Sequence, residues 1–380
     1  MTEQPTTFLL TGLPTSFLAQ KLLAQLLAMQ PTALVRCLIA DAMLERAEQI
    51  IQRLPLADQL RVEVVKGDVS SMDFGMAGKR FVELAEQIDV IHHCVCANYG
   101  GVGREAERRV YVNSTGEVLE LALAGKGRLK RLVHWGSALL SQPNNGWVSE
   151  TEWNKPPVFR SRSDEMRFRA EVLIRDAMNR VPITVLRPTI IVGDSKTSEI
   201  DRMEGPYALF QALLSAPPEL RMPVPGRGDQ PCPFVPLDYV LEAGLAIAED
   251  GRSAGRTFHL TDERPLSVAR VFELIAEASD KPAVPPSLGR NIAALLLNAP
   301  AFDRINQVPR PFLDMLASNV SYDARNAREL LAGSGIECPS VSTYLKSLLA
   351  RVKREADTQA KQRRTRRHPH FEEMKDPLDS

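Results

Sequence analysis

The stretch Thr7-Phe8-Leu9-Leu10-Thr11-Gly12-Leu13-Pro14-Thr15-Ser16-Phe17-Leu18-Ala19 decides the fold. Its apolar run from Thr7 to Leu10 predicts a buried strand that ends at Thr11-Gly12. Apolar residues then recur at helical spacing from Phe17 to Met29 and predict a helix. A strand, a tight glycine turn and a helix in this order are typical of the first unit of a parallel sheet.

The alternation of strands and helices continues as far as Leu186. Further strands are predicted at Ala33–Ile39, Val62–Val65, Val90–Cys96, Arg131–Trp135 and Ile183–Leu186, and further helices at Asp41–Leu54, Val112–Leu123 and Glu165–Asn179. This pattern predicts an α/β protein with a Rossmann-type, doubly wound parallel sheet. We expect the core at residues 1–188, a smaller C-terminal substrate lobe interleaved with returns to the core at 189–345, and a basic helical or disordered tail at 346–380.

Composition limits the classes of function. The 380 residues are 44% hydrophobic and 25% charged with zero net charge, so no overall field indicates nucleic acid or membrane. The five cysteines are scattered, which predicts free thiols in a reducing cytosol and no metal site. Met1 to Thr7 has no basic, apolar leader pattern, and we expect a cytoplasmic protein.

The tail is the one strongly charged segment. Residues 346–367 contain nine Lys or Arg and two acidic residues. Such a segment is able to meet an anionic membrane, an acidic carrier protein or RNA, and a solvated, partly disordered end is an equal alternative. It has no interleaved aromatic residues, so we expect no stacking on nucleic acid bases.

Several segments along the chain occur in a recognisable order. They are Thr11-Gly12, Gly67-Asp68-Val69, Val112-Asn113 with Gly116, Ser137, Leu186–Ser195, Gly205-Pro206-Tyr207, Phe234–Val240 and Gly255–Leu260. Together they resemble the extended short-chain dehydrogenase/reductases, in particular the fatty acyl reductase and carrier-protein thioester reductase branch. The resemblance covers roughly residues 7–350 and implies a long-chain acyl or aldehyde substrate by analogy only.

The resemblance also implies an NAD(P) site, but this chain lacks several of the residues that the family has there. Of the glycines expected in the first turn only Gly12 remains, with Ser16 and Ala19 near the later positions. Leu13 and Pro14 are expected to crowd a pyrophosphate, so we predict weakened or lost dinucleotide binding.

Three further positions are candidate cofactor contacts. Asp41 either accepts from a ribose 2′-hydroxyl, which favours NAD, or caps the following helix, and the cap is the preferred interpretation. Asp68 and Asn113 match family positions near the cofactor. For Asn113, an amide that braces its helix is preferred to a role in proton relay.

The family's catalytic pair is a Tyr followed four residues later by a Lys, with a Ser that binds the substrate carbonyl. By register against Ala170-Glu171, Ser163 stands at the Tyr position and Arg167 at the Lys position. Ser137 matches the family Ser, with a turn-forming role as an equal alternative. None of the tyrosines has a Lys four residues later.

These substitutions leave two hypotheses with support in the sequence, whereas a lyase or isomerase that uses the same groove has no specific support. The preferred one is a non-catalytic relative that binds a ligand or forms an oligomer with a related reductase-fold subunit, through a helix at Met166–Asn179. The alternative is an NAD(P)-dependent oxidoreductase for a fatty acyl thioester or aldehyde, in which Tyr99 or Tyr207 supplies the proton and Arg167 holds the cofactor.

Overall fold

The computed structural model describes residues 5–94, 103–125, 127–141, 145–152, 159–201, 205–215, 224–279, 281 and 310–367. The chain forms two compact units. The first comprises residues 1–192, 230–266 and 318–341, and the second comprises residues 193–229, 267–317 and 342–380.

Eleven strands lie in the described part of the chain. They are β1 Thr7–Thr11, β2 Leu34–Ile39, β3 Val62–Lys66, β4 Val90–His93, β5 Arg131–Trp135, β6 Asn145–Val148, β7 Ile183–Pro188, β8 Ile190–Ile191, β9 Phe234–Val235, β10 Arg256–Leu260 and β11 Asn319–Tyr322. Seven of them form one sheet in the order β10-β7-β5-β4-β1-β2-β3, and every pairing in it is parallel. This order confirms the predicted Rossmann-type sheet, in which the direction of winding reverses between β1 and β4. The remaining strands form two short parallel pairs, β6 with β11 and β8 with β9.

The helices connect these strands. They are α1 Phe17–Met29, α2 Leu44–Ile51, α3 Leu56–Gln59, α4 Gly78–Ala85, α5 Arg104–Arg108, α6 Ser114–Ala124, α7 Arg162–Ala177, α8 Pro206–Ser215, α9 Leu237–Glu249, α10 Val268–Glu277, α11 Arg310–Leu316, α12 Arg325–Leu331 and α13 Val341–Arg367. A π-helical turn at Arg109–Asn113 joins α5 to α6. The predicted helix at Asp41–Leu54 begins as a 3₁₀ turn at Asp41–Met43 before α2.

The sheet is covered on both faces because its strands alternate between two apolar layers. Phe8 and Leu10 of β1 pack in a cluster with α1 and α9, whereas Leu9 packs in a second cluster with α4, α6 and α7. Successive side chains of a strand point to opposite faces, so one apolar run builds both layers. This burial fixes the carboxyl ends of the strands, where the candidate site lies.

Among the described residues, no helix has the length and apolar character needed to cross a membrane.

Cys37, Cys94, Cys232 and Cys338 are free thiols, and Cys96 lies outside the described residues. His92 and His93 are buried. Within the described part of the chain no cluster of acids, histidines and cysteines could hold a metal ion.

Glu150 is a buried acid that ties together the first unit. It is 1% exposed and follows β6. Its carboxylate accepts the backbone N–H groups of His259 at 2.8 Å, Asn326 at 2.6 Å and Ala327 at 3.4 Å. Burial raises the pKa of Glu150 to about 7, although these hydrogen bonds act in the opposite direction.

The raised pKa predicts a pH-dependent stability. The folded protein binds a proton at Glu150 up to about pH 7, whereas an ordinary Glu loses it near 4.5. The contribution of Glu150 to the free energy of unfolding is therefore fully present below about pH 4.5 and is lost as the pH rises to about 7. We expect Glu150→Gln to remove this slope from urea denaturation curves recorded between those limits. Glu152→Gln, an exposed neighbour, is the control, and equal slopes in wild type and Glu150→Gln would contradict the assignment.

Candidate cofactor and catalytic site

The turn after β1 lies at the point where the strand order of the sheet reverses, between β1 and β4. Gly12 has φ +102°, and a Cβ at this position would overlap the carbonyl oxygen of Cys94, which follows β4. Only glycine fits such a conformation at such a close approach of two backbones. The crevice outside the carboxyl ends of β1 and β4 is where sheets of this kind bind ligands.

The rest of the turn differs from the sequence expectation. Leu13 is 6% exposed and packs in the apolar cluster with Phe8 and Leu10, so its side chain is part of the core. Pro14 is also buried. The expected crowding of a pyrophosphate by these two residues is therefore wrong, because both side chains are taken up by the protein interior.

Ser16 caps α1. Its hydroxyl accepts the Ala19 N–H at 3.2 Å, and its own N–H donates to the Gly12 carbonyl at 2.8 Å. The N–H groups of Phe17 and Leu18, in the first turn of α1, have no acceptor among the described residues. Helix N-terminal N–H groups beside a glycine turn suit a pyrophosphate, so the residues present fit a dinucleotide.

Asp41 lies directly after β2 and its side chain is exposed. Ala40, not Asp41, is the residue before the 3₁₀ turn, and no side chain caps that turn or α2. The preferred interpretation of Asp41 as a helix cap is therefore wrong. Its carboxylate is left at the position where a ribose hydroxyl is bound in sheets of this type.

Asp68, after β3, holds its own loop. Its carboxylate accepts the Ser70 N–H at 2.9 Å, the Ser70 hydroxyl at 2.8 Å and the Ser71 hydroxyl at 3.0 Å. Burial acts to raise the pKa of Asp68, but these hydrogen bonds and the charge of Arg109 outweigh it, so the pKa is lowered. Asp68 is a charged, preoriented carboxylate near the end of β3.

Asn113 is the last residue of the π-helical turn, and it is half-buried. Its amide makes no hydrogen bond with the described residues, so the structure does not support the preferred interpretation of a helix-bracing amide. Single π-turns within α-helices occur frequently at functional sites.

The two substituted catalytic positions are bonded across two helices. Ser163 of α7 donates its hydroxyl to Glu107 Oε1 at 2.8 Å, and Arg167 Nη2 donates to the Tyr111 hydroxyl at 3.0 Å. The Arg167 guanidinium carbon also lies 5.1 Å from the centre of the Tyr111 ring. Both contacts join α7 to the segment formed by α5 and the π-helical turn.

Ser137 has a local role in the structure. Its hydroxyl accepts the Leu139 N–H at 3.3 Å, which opens the 3₁₀ turn Ala138–Ser141. This turn packs against α7. The turn-forming interpretation therefore holds for Ser137, which still lies on an element adjacent to Ser163 and Arg167.

Glu107 and Tyr111 are site residues that no motif in the sequence indicates. They are four residues apart, about one turn along the segment formed by α5 and the π-helical turn, and Ser163 and Arg167 have the same spacing on one face of α7. That matched spacing was the only signal in the sequence. Of the two tyrosines expected as alternative acids, Tyr99 lies outside the described residues, and the Tyr207 hydroxyl accepts the Gly193 N–H at 2.7 Å within the second unit.

A parallel sheet wound in this order, with a glycine turn at the switch point and an acid after β2, defines an NAD(P)-binding, reductase-type domain of the short-chain dehydrogenase/reductase class. Residues 10–244 match the NAD-binding family described as Male sterility protein. The chain belongs to this family, which confirms the resemblance seen in the sequence.

Curated relatives are larger proteins. The chain is 28% identical to glycine betaine reductase ATRR of Emericella nidulans over 56% of this chain and 17% of that protein. It is 28% identical to aldehyde reductase lnaA of Aspergillus flavus over 66% of this chain and 25% of that protein. The chain thus spans a quarter or less of these two relatives.

A solved structure supports the fold. The terminal R domain from the myxalamid PKS-NRPS biosynthetic pathway superimposes with a TM-score of 0.75 at 24% identity and covers 92% of both chains.

Proposed function

We propose that this chain is an NAD(P)-dependent reductase that acts on a carbonyl substrate, either an acyl thioester or an aldehyde. The observation that carries the proposal is the turn Gly12–Ser16. It keeps the close backbone approach at Gly12, buries Leu13 and Pro14, and leaves two N–H groups of α1 without acceptors among the described residues. These are the properties that a pyrophosphate requires of such a turn.

The substrate class is supported by the relatives. Two of them carry the names aldehyde reductase and glycine betaine reductase, and they match 66% and 56% of this chain. Acyl thioesters and aldehydes present the same reacting group, a carbonyl carbon that accepts hydride. When bound, the reduced nicotinamide supplies that hydride, and the protein has to position the carbonyl and provide a proton.

Titration of the purified chain with NADH and NADPH by calorimetry tests the proposal. We expect NADH to bind in the micromolar range and more tightly than NADPH, because the Asp41 carboxylate repels a 2′-phosphate. Asp41→Asn is expected to reduce this preference about tenfold, or ~1.4 kcal/mol. Glu45→Gln, an exposed acid on α2, changes the net charge equally and is expected to leave the preference unchanged.

A second candidate is a non-catalytic binding subunit. The observation that favours it is that Ser163 and Arg167 are bonded to Glu107 and Tyr111, so the two substituted positions serve to join helices. In this role the chain would pair with a related reductase-fold subunit through α7, and α13 would offer its basic residues to an acidic carrier protein or an anionic membrane.

The same titration separates the two candidates. Absence of binding at millimolar NADH and NADPH would overturn the reductase proposal and leave the binding subunit. Binding without reduction of any acyl thioester or aldehyde would also favour the binding subunit.

A further inference from the structure

The contact between Tyr111 and Arg167 joins a phenol to a permanent cation, and Arg167 stands at the sequence position of the family's catalytic Lys. Arg167 Nη2 lies 3.0 Å from the Tyr111 hydroxyl oxygen. A guanidinium group can only donate hydrogen bonds, so the phenol oxygen is the acceptor in this contact. The O–H bond of Tyr111 therefore points away from Arg167.

Arg167 has the role that Lys has in the family's catalytic pair. In that role the positive charge favours the phenolate and holds it in place, and it does not give up a proton itself. Arg167 meets this requirement, because a guanidinium keeps its charge at every working pH. What differs is the origin of the phenol, which comes from the π-helical turn before α6 and not from α7.

The surroundings of Tyr111 hold the ring in one place. The side chain is 3% exposed and packs against Met166 and Ala170 of α7. The guanidinium of Arg167 covers the ring, with its carbon 5.1 Å from the ring centre, and this cation–π contact adds to the hydrogen bond.

Ser163 does not compete for this role. Its hydroxyl already donates to Glu107 Oε1 at 2.8 Å, and an aliphatic hydroxyl is a far weaker acid than a phenol. Glu107 lies one helical turn before Tyr111, so the Ser163 contact helps to hold the segment that carries the phenol.

We propose that Tyr111 is the proton donor in carbonyl reduction by this chain, with Arg167 as the residue that positions it; this rests on the proposed function. As the carbonyl carbon gains a hydride, the π electron pair moves to the carbonyl oxygen. The O–H bond of Tyr111 breaks and its proton passes to that oxygen. The phenolate that remains is stabilised by Arg167 and regains a proton from water.

The first test follows the ionisation of Tyr111 directly, without turnover. The chain has six tyrosines, so the difference in tyrosinate absorbance between wild type and Tyr111→Phe isolates one ring. We expect this ring to ionise at a higher pH in Arg167→Met than in wild type, and Arg167→Lys to restore most of the difference. An identical transition in wild type and Arg167→Met would overturn the positioning role of Arg167.

The second test measures reduction of a medium-chain aldehyde by NADH. Tyr111→Phe is expected to lower kcat about 100-fold or more, with NADH affinity unchanged by calorimetry. Tyr239→Phe removes another buried phenol, on α9 in the core, and is expected to leave kcat unchanged. Thermal denaturation of each variant checks that it is folded.

The outcomes distinguish this inference from the proposed function. If wild type reduces the aldehyde and Tyr111→Phe matches it, Tyr111 is not the donor and the reductase proposal stands. If wild type binds no nucleotide, both fall together.

Discussion

Glu171→Ala is expected to destabilise the protein by about 3 to 5 kcal/mol, because it leaves the Arg187 guanidinium buried without its carboxylate partner. Both side chains are fully buried, and Arg187 Nε lies 2.9 and 3.1 Å from the two Glu171 oxygens. Arg175 Nε approaches the same carboxylate at 3.3 Å. Urea denaturation followed by circular dichroism measures the loss.

Helix α7 supplies its own control. Glu165 and Arg169 form an ion pair four residues apart on this helix, at 2.7 Å, but Arg169 is 61% exposed. Glu165→Ala is therefore expected to cost at most about 0.5 kcal/mol. The double variant Glu171→Met with Arg187→Met is expected to recover much of the stability, since it removes both buried charges. Equal losses of stability in Glu171→Ala and Glu165→Ala would show that the buried ion pair contributes no more to stability than the exposed one.

The buried pair bears on the candidate site through geometry. Glu171 lies one helical turn after Arg167, so the bond to Arg187 of β7 fixes α7 against the sheet. A shift of α7 would move Ser163 and Arg167 relative to Glu107 and Tyr111. We therefore regard Glu171 as an anchor of the helix.

Gly12→Ala is expected to have the second largest effect, a loss of about 2 to 4 kcal/mol together with loss of NADH binding. The added Cβ would overlap the Cys94 carbonyl oxygen, and φ +102° is unfavourable for an L-residue. This overlap is relieved only if β1 and β4 move apart at the switch point. Denaturation and calorimetry on the same variant measure both effects.

The variant Gly75→Ala separates the effect of backbone strain from the effect of steric overlap by an added Cβ. Gly75 has φ +72°, and a Cβ there would meet no atom within 4 Å. It is expected to cost about 1 kcal/mol from the backbone conformation alone, and to leave NADH binding intact. A Gly12→Ala protein as stable as Gly75→Ala, with unchanged affinity, would show that the turn tolerates a side chain and that the dinucleotide does not depend on it.

Much of the fold follows from local patterns. The predicted bounds of α1 and β5 coincide with the observed ones, because a helix with a clear apolar face and a fully buried strand are both marked by their periodicity. The sequence pattern does not predict a strand at Arg256–Leu260, which forms β10 at the edge of the sheet. Its apolar positions are interrupted by Arg256 and His259, and its place beside β7 depends on a pairing distant in sequence.

The candidate site was predicted in part. Gly12 and the substitutions at Ser163 and Arg167 follow from residue identity at recognisable positions. The orientation of Leu13 does not, since an apolar residue in a turn faces either the ligand or the core, and only the packing of α1 on β1 decides which.

The sequence by itself determined the parallel α/β fold, the family, and the absence of the Tyr–Lys pair from α7. Tertiary structure alone decided that Tyr111 and Glu107, each 56 residues from its partner, meet Arg167 and Ser163. The physical reason is that periodicity specifies which face of a helix is apolar, whereas the contacts between two helices depend on their mutual rotation and register. Those are set by packing against the sheet, including the buried bond between Glu171 and Arg187.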